Sequence, residues 1–346
     1  MSGPSDGWVK LSYNPHERDA SFKDEVREYT VCYTVHAPAT TSSAASPLPL
    51  LILCHPFNNS RHYWQPQIDD EQLAPFTKVA VDAVGFARSR TTPAGSEWSY
   101  DVAAASILAI LDKELKPSQQ AVLIGDSMGG AHTGLRAGMR DVEQGGKRLA
   151  GLVICGTAAE EESADFSEEY LRDADNFAKQ CQKATTSEQV ASAIDEFAQN
   201  MALAGYTDSE DATVVAARKY GTKVISDSLK LTLANDAGVL DGTRAGETMK
   251  LNYRILCLRK GLIPELACRP SRLGKIQVLV VHGTQDNAYP FDRKYHERTQ
   301  SAIGDDNAEL CVIEGGSHFV TASHVTETDA KLLQWMKRKH IIQEYM

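Results

Sequence analysis

Short runs of consecutive apolar residues recur along the chain and are separated by longer mixed segments. Such runs predict strands of a parallel sheet covered on both faces, because neither face of those strands meets water. A run of alternating, β-branched residues at 27–37 predicts an antiparallel strand before them. The apolar runs lie at 48–54, 78–84, 121–125, 149–156, 276–283 and 309–315.

Segments with the spacing of amphipathic helices lie between the predicted strands. Because strand and helix alternate, the sequence predicts an α/β fold, namely a doubly wound, mostly parallel sheet with right-handed crossover connections. The helical segments lie at 100–115, 128–140, 290–302 and 323–340.

The alternation of strand and helix is interrupted over 158–272. This stretch offers several helical segments but no convincing strand. A block of more than about 100 residues is too long for a bare loop in a compact domain, so we interpret it as an inserted helical cap or lid. The core is then expected in two parts, 1–157 and 273–346. Within the cap, the acidic stretch at 160–169 is interpreted as the solvated start of a helix or, alternatively, as a feature that disfavours anionic substrates.

The chain of 346 residues has a formal net charge of -10. An acidic surface repels the phosphates of nucleic acids and of anionic lipids, so neither a nucleic acid nor a membrane is expected as a partner. The first residues lack the basic and apolar segments of a secretory signal, which favours a cytoplasmic protein. The seven cysteines include no Cys-x-x-Cys pair, which argues against a zinc site or a disulfide framework.

A Gly-x-Ser-x-Gly motif follows the strand predicted at 121–125. The sequence GDSMG at 125–129 leads from that strand into a predicted helix. Small residues around a serine permit a strained turn that projects the hydroxyl above the sheet and directs the next N–H, that of Met128, towards a developing oxyanion. The short motif also fits an ordinary Gly-Ser turn, but the strand before it and the helix after it favour Ser127 as a nucleophile.

With this motif, the chain resembles the α/β-hydrolase superfamily, in particular cap-bearing serine hydrolases such as esterases, lactonases and the group of epoxide hydrolases and haloperoxidases. The sequence CHPFNNSRHYW at 54–64 resembles the His-Gly-x-Pro loop and downstream tryptophan of that group. The resemblance implies that the Phe57 N–H is the second oxyanion donor and that Trp64 binds substrate. Pro56 and Asn58 depart from the pattern, which has Gly and Pro there, so a different loop shape is expected.

Two later loops offer an acid and a base. Asp286 follows the strand predicted at 276–283, and His318 lies in a Gly-rich turn between the last predicted strand and the last predicted helix. Taken singly, Asp286 also fits a solvated or helix-capping carboxylate, and His318 an ordinary turn residue. The chain order Ser, Asp, His is that of α/β-hydrolases and favours a catalytic triad of Ser127, Asp286 and His318.

The predicted triad implies acyl transfer through an acyl-enzyme on Ser127. We expect a serine hydrolase that cleaves an ester or lactone of a medium-sized, largely apolar small molecule, with no metal and no organic cofactor. Because the nucleophile is Ser and not Asp, the resemblance does not imply epoxide hydrolysis or dehalogenation. Two alternatives stay open: the same triad used for cyclisation, acyl transfer or carbon–carbon bond cleavage, and a small-molecule receptor. A homodimer also stays open.

Overall fold

The computed structural model contains a mixed, mostly parallel sheet flanked by helices. None of the helices in the described ranges is long and apolar enough to cross a membrane. The described residues are 3–15, 26–39, 47–92, 95–157, 159–268, 273–290, 292–304 and 306–343.

The strands are longest at one edge of the sheet, where two of them form an antiparallel pair. The strands of the described residues are β1 (Ser5–Tyr13), β2 (Arg27–His36), β3 (Leu50–Cys54), β4 (Lys78–Val81), β5 (Arg90–Thr92), β6 (Ala121–Asp126), β7 (Leu149–Cys155), β8 (Gln277–Gly283) and β9 (Ala308–Ile313).

The order of the strands confirms the fold class predicted from the sequence. It is β1-β2-β4-β3-β6-β7-β8-β9, with β5 paired to β2. From β4 to β9 each pairing is parallel, whereas β2 is antiparallel to β1, β4 and β5. The carboxyl ends of parallel strands meet at one edge of a sheet, so the loops after β3, β6, β7, β8 and β9 gather there. We call this the catalytic edge of the sheet.

The sequence predicts neither β1 nor β5, and it places the end of β4 too late. Strand β1 is mostly exposed, with only Val9 buried, and its sequence therefore lacks the apolar pattern of a core strand. Strand β5 has only three residues, which is too short for a pattern to show. The run at 78–84 extends past Val81 because Asp82 and its neighbours are buried without continuing the strand. The Asp82 carboxylate instead accepts hydrogen bonds from the backbone N–H of Arg61 at 2.8 Å and from its guanidinium at 2.6 Å.

Helices connect the strands and also form a group of their own between β7 and β8. The helices are α1 (Gln65–Asp69), α2 (Tyr100–Glu114), α3 (Arg136–Glu143), α4 (Ala164–Lys183), α5 (Ser187–Gly205), α6 (Ala212–Leu233), α7 (Gly242–Cys257), α8 (Ile263–Ala267), α9 (Arg293–Ile303), α10 (Val320–Ser323) and α11 (Val325–Arg338).

Residues 159–268, which we call the helical layer, contain α4 to α8 and no strand. Here α4 packs against α7, and α5 packs against α6. This helical content agrees with the interpretation of 158–272. Positions 158 and 272 lie outside the described residues, and the division of the chain into core and cap domains stays a prediction.

Polar side chains define where the helices of this layer begin. Ser163 accepts a hydrogen bond from a first-turn N–H of α4, and Thr186 forms a capping box with Gln189 at the start of α5. The side chains of Asp211 and Asp241 accept hydrogen bonds from first-turn N–H groups of α6 and α7. These side chains satisfy N–H groups that have no partner within the helix, which explains the positions of the helix starts.

The segment after the GDSMG motif differs from the single helix predicted at 128–140. A 3-10 turn covers Ser127–Gly129 and a π-helical turn covers Ala131–Leu135 before α3 begins. Between these turns Gly130 has φ −79° and ψ −100°, which is not a helical conformation. A helix cannot continue through such a residue, so the predicted helix is divided.

Candidate active site

The GDSMG motif forms a strained turn at the carboxyl end of β6. Ser127 has a φ of 50°, a left-handed conformation that residues with a side chain rarely adopt. Two glycines of the turn have no room for a side chain: a Cβ on Gly125 would collide with the carbonyl of Gly129, and one on Gly129 with the carbonyl of Cys54. The small residues therefore permit the turn, in which Ser127 stays partly exposed.

His318 and Asp286 approach Ser127 from two loops at the catalytic edge. His318 Nε2 lies 3.0 Å from Ser127 Oγ, and His318 Nδ1 lies 2.9 Å from Asp286 Oδ2. An ionised carboxylate can only accept, so Nδ1 carries the proton and Nε2 is left to accept the proton of the serine hydroxyl. The fold thus brings the three residues predicted as a triad into one hydrogen-bonded chain.

Asp286 is itself held in place by its own loop and by β8. Its Oδ1 accepts a hydrogen bond from the Tyr289 backbone N–H at 2.6 Å. The buried His282 lies with Nε2 3.3 Å from Asp286 Oδ2 and 3.0 Å from the carbonyl of Tyr289. Burial lowers the pKa of His282, which keeps that ring neutral at pH 7. Both oxygens of Asp286 are therefore oriented before any substrate arrives.

The pKa of His318 reflects two opposing influences. Burial alone would lower it, but nearby carboxylates raise the pKa above its ordinary value, with Asp286 the strongest and Asp126 and Glu162 after it. A more basic imidazole accepts the serine proton more readily, yet it is already protonated over a wider acidic range. Any reaction that needs neutral His318 is expected to slow on acidification at a higher pH than for an ordinary histidine.

Ser127 and His318 border a cavity of about 280 Å³ between the catalytic edge and the helical layer. Its size is close to the lower end of small-molecule sites. Phe57 from the loop after β3 meets Tyr253 of α7 edge-on, with ring centroids 4.8 Å apart, so the two layers share an aromatic wall. The aromatic residues of that wall include Phe57, Phe166, Tyr170, Phe197, Tyr253 and Phe319.

Charged side chains also line the cavity. Glu162 and Arg259 form an ion pair with side chains only 3% and 5% exposed, and the Arg259 guanidinium donates to the Leu256 carbonyl at 3.3 Å. Glu169 and Asp173, one turn apart on α4, are exposed and line its outer part. The stretch at 160–169 therefore does more than begin a helix in water, because one of its carboxylates is buried. The lining thus contains three carboxylates and one guanidinium, which makes it acidic.

Phe57 borders the same cavity as Ser127, whereas Trp64 does not reach that cavity. Met128 follows Ser127 in the turn, and Phe57 lines the same cavity as Ser127. Trp64 is fully buried, packs edge-on against Tyr63 with centroids 5.1 Å apart, and is not part of the cavity wall. The structure does not bring Trp64 to the site because the short turn that carries it directs the indole into the core.

The loop after β3 shows how the chain accommodates Pro56 and Asn58. His55 Nε2 accepts the Ala83 N–H at 2.9 Å, so its Nδ1–H donates to the Pro56 carbonyl at 2.7 Å. Asn58 adopts a φ of 57°, which Asn tolerates better than most residues. Its amide nitrogen contacts Met201 Sδ in the helical layer at 3.3 Å. Side-chain hydrogen bonds thus hold this loop where the family pattern has Gly and Pro.

The structure adds Asp126 to the site, a residue to which the sequence assigns no role. It is fully buried, and its Oδ2 accepts hydrogen bonds from the Tyr63 hydroxyl at 2.8 Å and the Thr321 hydroxyl at 2.6 Å. Burial raises the pKa of the Asp126 carboxyl to about 6. A charged residue beside the nucleophile is visible in the sequence, but its partners lie 63 and 195 residues away, so only the fold reveals the cluster.

No group of three or more His, Cys, Asp or Glu side chains in the described ranges is arranged to hold a metal ion. The expectation of a site without a metal or cofactor stays a prediction.

Most of the chain matches the sequence profile of one protein family. Residues 49–324 match the sequence profile of the family described as alpha/beta hydrolase fold. The chain belongs to the alpha/beta-hydrolase family. The match includes all three residues of the Ser127, His318 and Asp286 chain, and it also spans the helical layer. A search by sequence among curated proteins gives no match.

Alpha/beta hydrolases of known structure resemble this one over nearly their whole length. An esterase from Thermogutta terrifontis superposes with a TM-score of 0.65 at 17% identity, covering 96% of this chain and 99% of that chain. The enol-lactonase from Burkholderia xenovorans LB400 gives 0.63 at 16%, covering 89% and 97%. Bromoperoxidase from Bacillus anthracis gives 0.63 at 19%, covering 96% and 100%. At identities this low, the superpositions show that these proteins share the fold and no more.

Proposed function

We propose that this alpha/beta hydrolase is a serine esterase or lactonase that acts on medium-sized, largely apolar small molecules. The observation that carries the proposal is the hydrogen-bonded chain from Ser127 through His318 to Asp286, with distances of 3.0 and 2.9 Å. The chain begins at a serine in a strained turn beside an aromatic cavity. A serine hydroxyl is a weak nucleophile until a neighbouring base accepts its proton, and this arrangement supplies that base.

Each group of the site has a definite part in the proposed reaction. Ser127 Oγ attacks the acyl carbon while its proton passes to His318 Nε2, and Asp286 stabilises the resulting imidazolium. The backbone N–H groups of Met128 and Phe57 donate to the oxyanion, and losing one such donor typically costs about 3 to 4 kcal/mol of barrier. His318 then protonates the leaving alkoxide, and water releases the acyl group from Ser127 by the same steps in reverse order.

The cavity supports the proposed substrate class. Its aromatic wall favours burial of an apolar acyl or alcohol group, and a volume of about 280 Å³ limits that group to a small molecule. The exposed carboxylates of Glu169 and Asp173 face the outer part, so a neutral ester is expected to enter more readily than an anionic one.

Active-site labelling tests the proposal most directly. The purified protein is treated with a fluorophosphonate and its intact mass is measured, and hydrolysis is followed on a panel of neutral esters and lactones. We expect one label per chain and hydrolysis of at least some panel members. For Ser127→Ala we expect no label and a fall in kcat of about 10⁴-fold or more, because no nucleophile remains.

Folding controls decide how a negative result is interpreted. The circular dichroism spectrum of Ser127→Ala should match that of the wild type. A folded wild-type protein that takes no label and cleaves no panel member would refute the proposal. Hydrolysis in ¹⁸O-labelled water should place one heavy oxygen in the product acid, and a product without it would assign the acyl group to another acceptor.

A further inference from the structure

Asp126 connects the turn that carries Ser127 with the turn that carries His318. It directly precedes Ser127 at the end of β6, and Thr321, which donates to its Oδ2 at 2.6 Å, stands three residues after His318. The Tyr63 hydroxyl donates to the same oxygen at 2.8 Å and lies 2.9 Å from the Thr321 hydroxyl. The three groups form a compact buried cluster, and displacing the His318 turn would break the hydrogen bond from Thr321 to the Ser127 turn.

The second oxygen of Asp126 borders the same space beside Gly156 as the His318 ring. Asp126 Oδ1 has no hydrogen-bond partner among the described residues. A Cβ built on Gly156 would lie 3.6 Å from this oxygen and 3.5 Å from His318 Nδ1, so both atoms border the space that the glycine leaves open. Gly156 has a φ of 55°, and a side chain there would also collide with the His318 carbonyl. A side chain at position 156 would therefore intrude on the space that Asp126 Oδ1 and His318 Nδ1 both border.

Few groups around Asp126 carry charge near neutral pH. Burial has the largest effect on the pKa of Asp126 and raises it, whereas His318 lowers that pKa and Asp286 raises it. His318 in turn faces Glu162 from the helical layer and His282 from β8. The pKa of each other titratable neighbour is raised by burial, which keeps it neutral. These neutral neighbours are Tyr63, Cys155 and Tyr206.

We infer that Asp126 is a positioning residue for the proposed hydrolysis, with two effects on His318. Through Thr321 it holds the histidine turn against the nucleophile turn, which maintains the 3.0 Å contact between His318 Nε2 and Ser127 Oγ. Through its charge it stabilises the imidazolium that forms when Ser127 attacks, in addition to Asp286. The inference rests on the proposed function, since it assigns a second carboxylate to the same base.

The buried carboxyl of Asp126 also affects the stability of the fold. The pKa of Asp126 is about 6 in the folded protein against an ordinary value of 3.8, so the fold favours its neutral form. The stabilisation from that neutral form is fully present below the ordinary pKa and is lost as the pH rises through about 6. At higher pH the ionised Asp126 therefore destabilises the fold while it stabilises charged His318. Functional groups commonly combine a gain in activity with such a loss of stability.

The variant Asp126→Asn tests the inference, because it keeps the shape and an acceptor for both hydroxyls but removes the charge. The titration of the His318 ring is followed by NMR in both proteins, with His318→Ala to assign the signal. We expect the pKa of His318 to fall by about 0.5 to 1 unit in Asp126→Asn. The acidic limb of kcat/KM should move to lower pH by the same amount, and kcat should fall about 10-fold with KM within about 2-fold.

Thermal unfolding gives a readout that is independent of activity. We expect the Tm of Asp126→Asn to exceed that of the wild type at about pH 8, where the wild-type carboxylate is ionised, and this advantage to vanish at about pH 4.

Asp329→Asn is the matched control for the titration, since it changes a buried carboxyl on α11 and should leave the His318 titration unaltered. Thr321→Val should lower the labelling rate, and Thr321→Ser, which keeps the hydroxyl, should restore it.

An unchanged His318 titration in Asp126→Asn would overturn the inference. So would a loss of kcat that is equal at every pH with a lower Tm throughout, since both would indicate a purely structural residue. If the titration shifts as expected but the wild type takes no fluorophosphonate and cleaves no ester, the proposed hydrolysis fails while the coupling of Asp126 to His318 stands.

Discussion

The catalytic edge of the sheet and the helical layer contribute to one cavity in different ways. At the edge, functional groups lie on short loops, and hydrogen bonds of 3.0 and 2.9 Å connect Ser127, His318 and Asp286. In the helical layer, the groups that face the cavity belong to helices and to the segments beside them, and they include four aromatic rings and one buried ion pair. The edge thus fixes atoms relative to one another, whereas the layer mainly supplies surface.

We therefore expect the catalytic edge to position the reacting atoms and the helical layer to select substrates, and variants can test this difference. Loops held by buried strands keep reacting atoms within the narrow limits that proton transfer needs, whereas a wall of side chains selects substrates by shape and charge. Changes at the catalytic edge are therefore expected to lower kcat for every substrate. Changes in the helical layer are expected to alter stability or substrate preference, while the reactivity of Ser127 towards a small phosphonate is retained.

The largest effect is expected from Asp286→Asn. The amide can present an N–H to His318 Nδ1, which favours the wrong tautomer, so kcat should fall by about 10⁴-fold with little change in KM. Steady-state kinetics on a reactive ester measure this loss. Glu314→Gln is the control, because it alters an exposed carboxylate that accepts a hydrogen bond from the Thr284 hydroxyl at 3.1 Å, away from the Ser127 chain of hydrogen bonds. Wild-type turnover in Asp286→Asn would remove Asp286 from the proposed triad.

An intermediate effect is expected from Glu162→Gln in the helical layer. The change leaves the buried Arg259 without its carboxylate, and breaking a buried pair typically costs about 3 kcal/mol of unfolding free energy. Urea unfolding measures this loss, and the folded fraction should still react with fluorophosphonate. Glu160→Gln is matched to it two residues away, because its pair with Arg298 is more exposed and should be worth less than about 1 kcal/mol. Equal losses in both variants would contradict the assigned burial.

The smallest effect is expected from the double variant Glu169→Gln and Asp173→Asn. Removing both exposed carboxylates should raise kcat/KM for an anionic ester by about 2- to 5-fold, while a neutral ester of the same size changes less. The gain should shrink as salt is added, because exposed charges are screened. Glu168→Gln, on the neighbouring exposed position of α4 that does not line the cavity, should leave the ratio unchanged. A similar gain there would show that only net charge matters.

The catalytic edge was more predictable from the sequence than the helical layer. The central strands are nearly all apolar because they are buried on both faces, and this pattern identified β3, β6, β7 and β8 within a few residues. The edge strand β9 was also identified, although most of its residues are only partly buried. The helix predicted after Ser127 was divided because close packing at Gly129 and the conformation of Gly130 are tertiary effects. For Trp64 the family pattern implied a place at the site, but the packing of a short turn buried it elsewhere.

The helical layer shows the limit of reasoning from charge along the chain. The stretch around Glu162 was interpreted as a solvated helix start, and Ser163 does cap α4. The side chain of Glu162 is nevertheless buried, because Arg259, two residues after the end of α7, forms an ion pair with it. A buried charge depends on a partner that is remote in sequence, so local composition cannot reveal it.

By itself, the sequence determined the α/β fold class and the order in which the chemical motifs follow the predicted strands. It also determined Ser127, Asp286 and His318 as candidate residues, because these follow from local patterns and from a family resemblance. Only the tertiary structure decided that their atoms form one hydrogen-bonded chain and that Asp126 borders the same space as His318. It also decided which side chains of the helical layer face the cavity. The physical reason is that hydrogen bonding, burial and charge coupling act over a few ångströms in space, whereas the groups involved lie up to 195 residues apart in the chain.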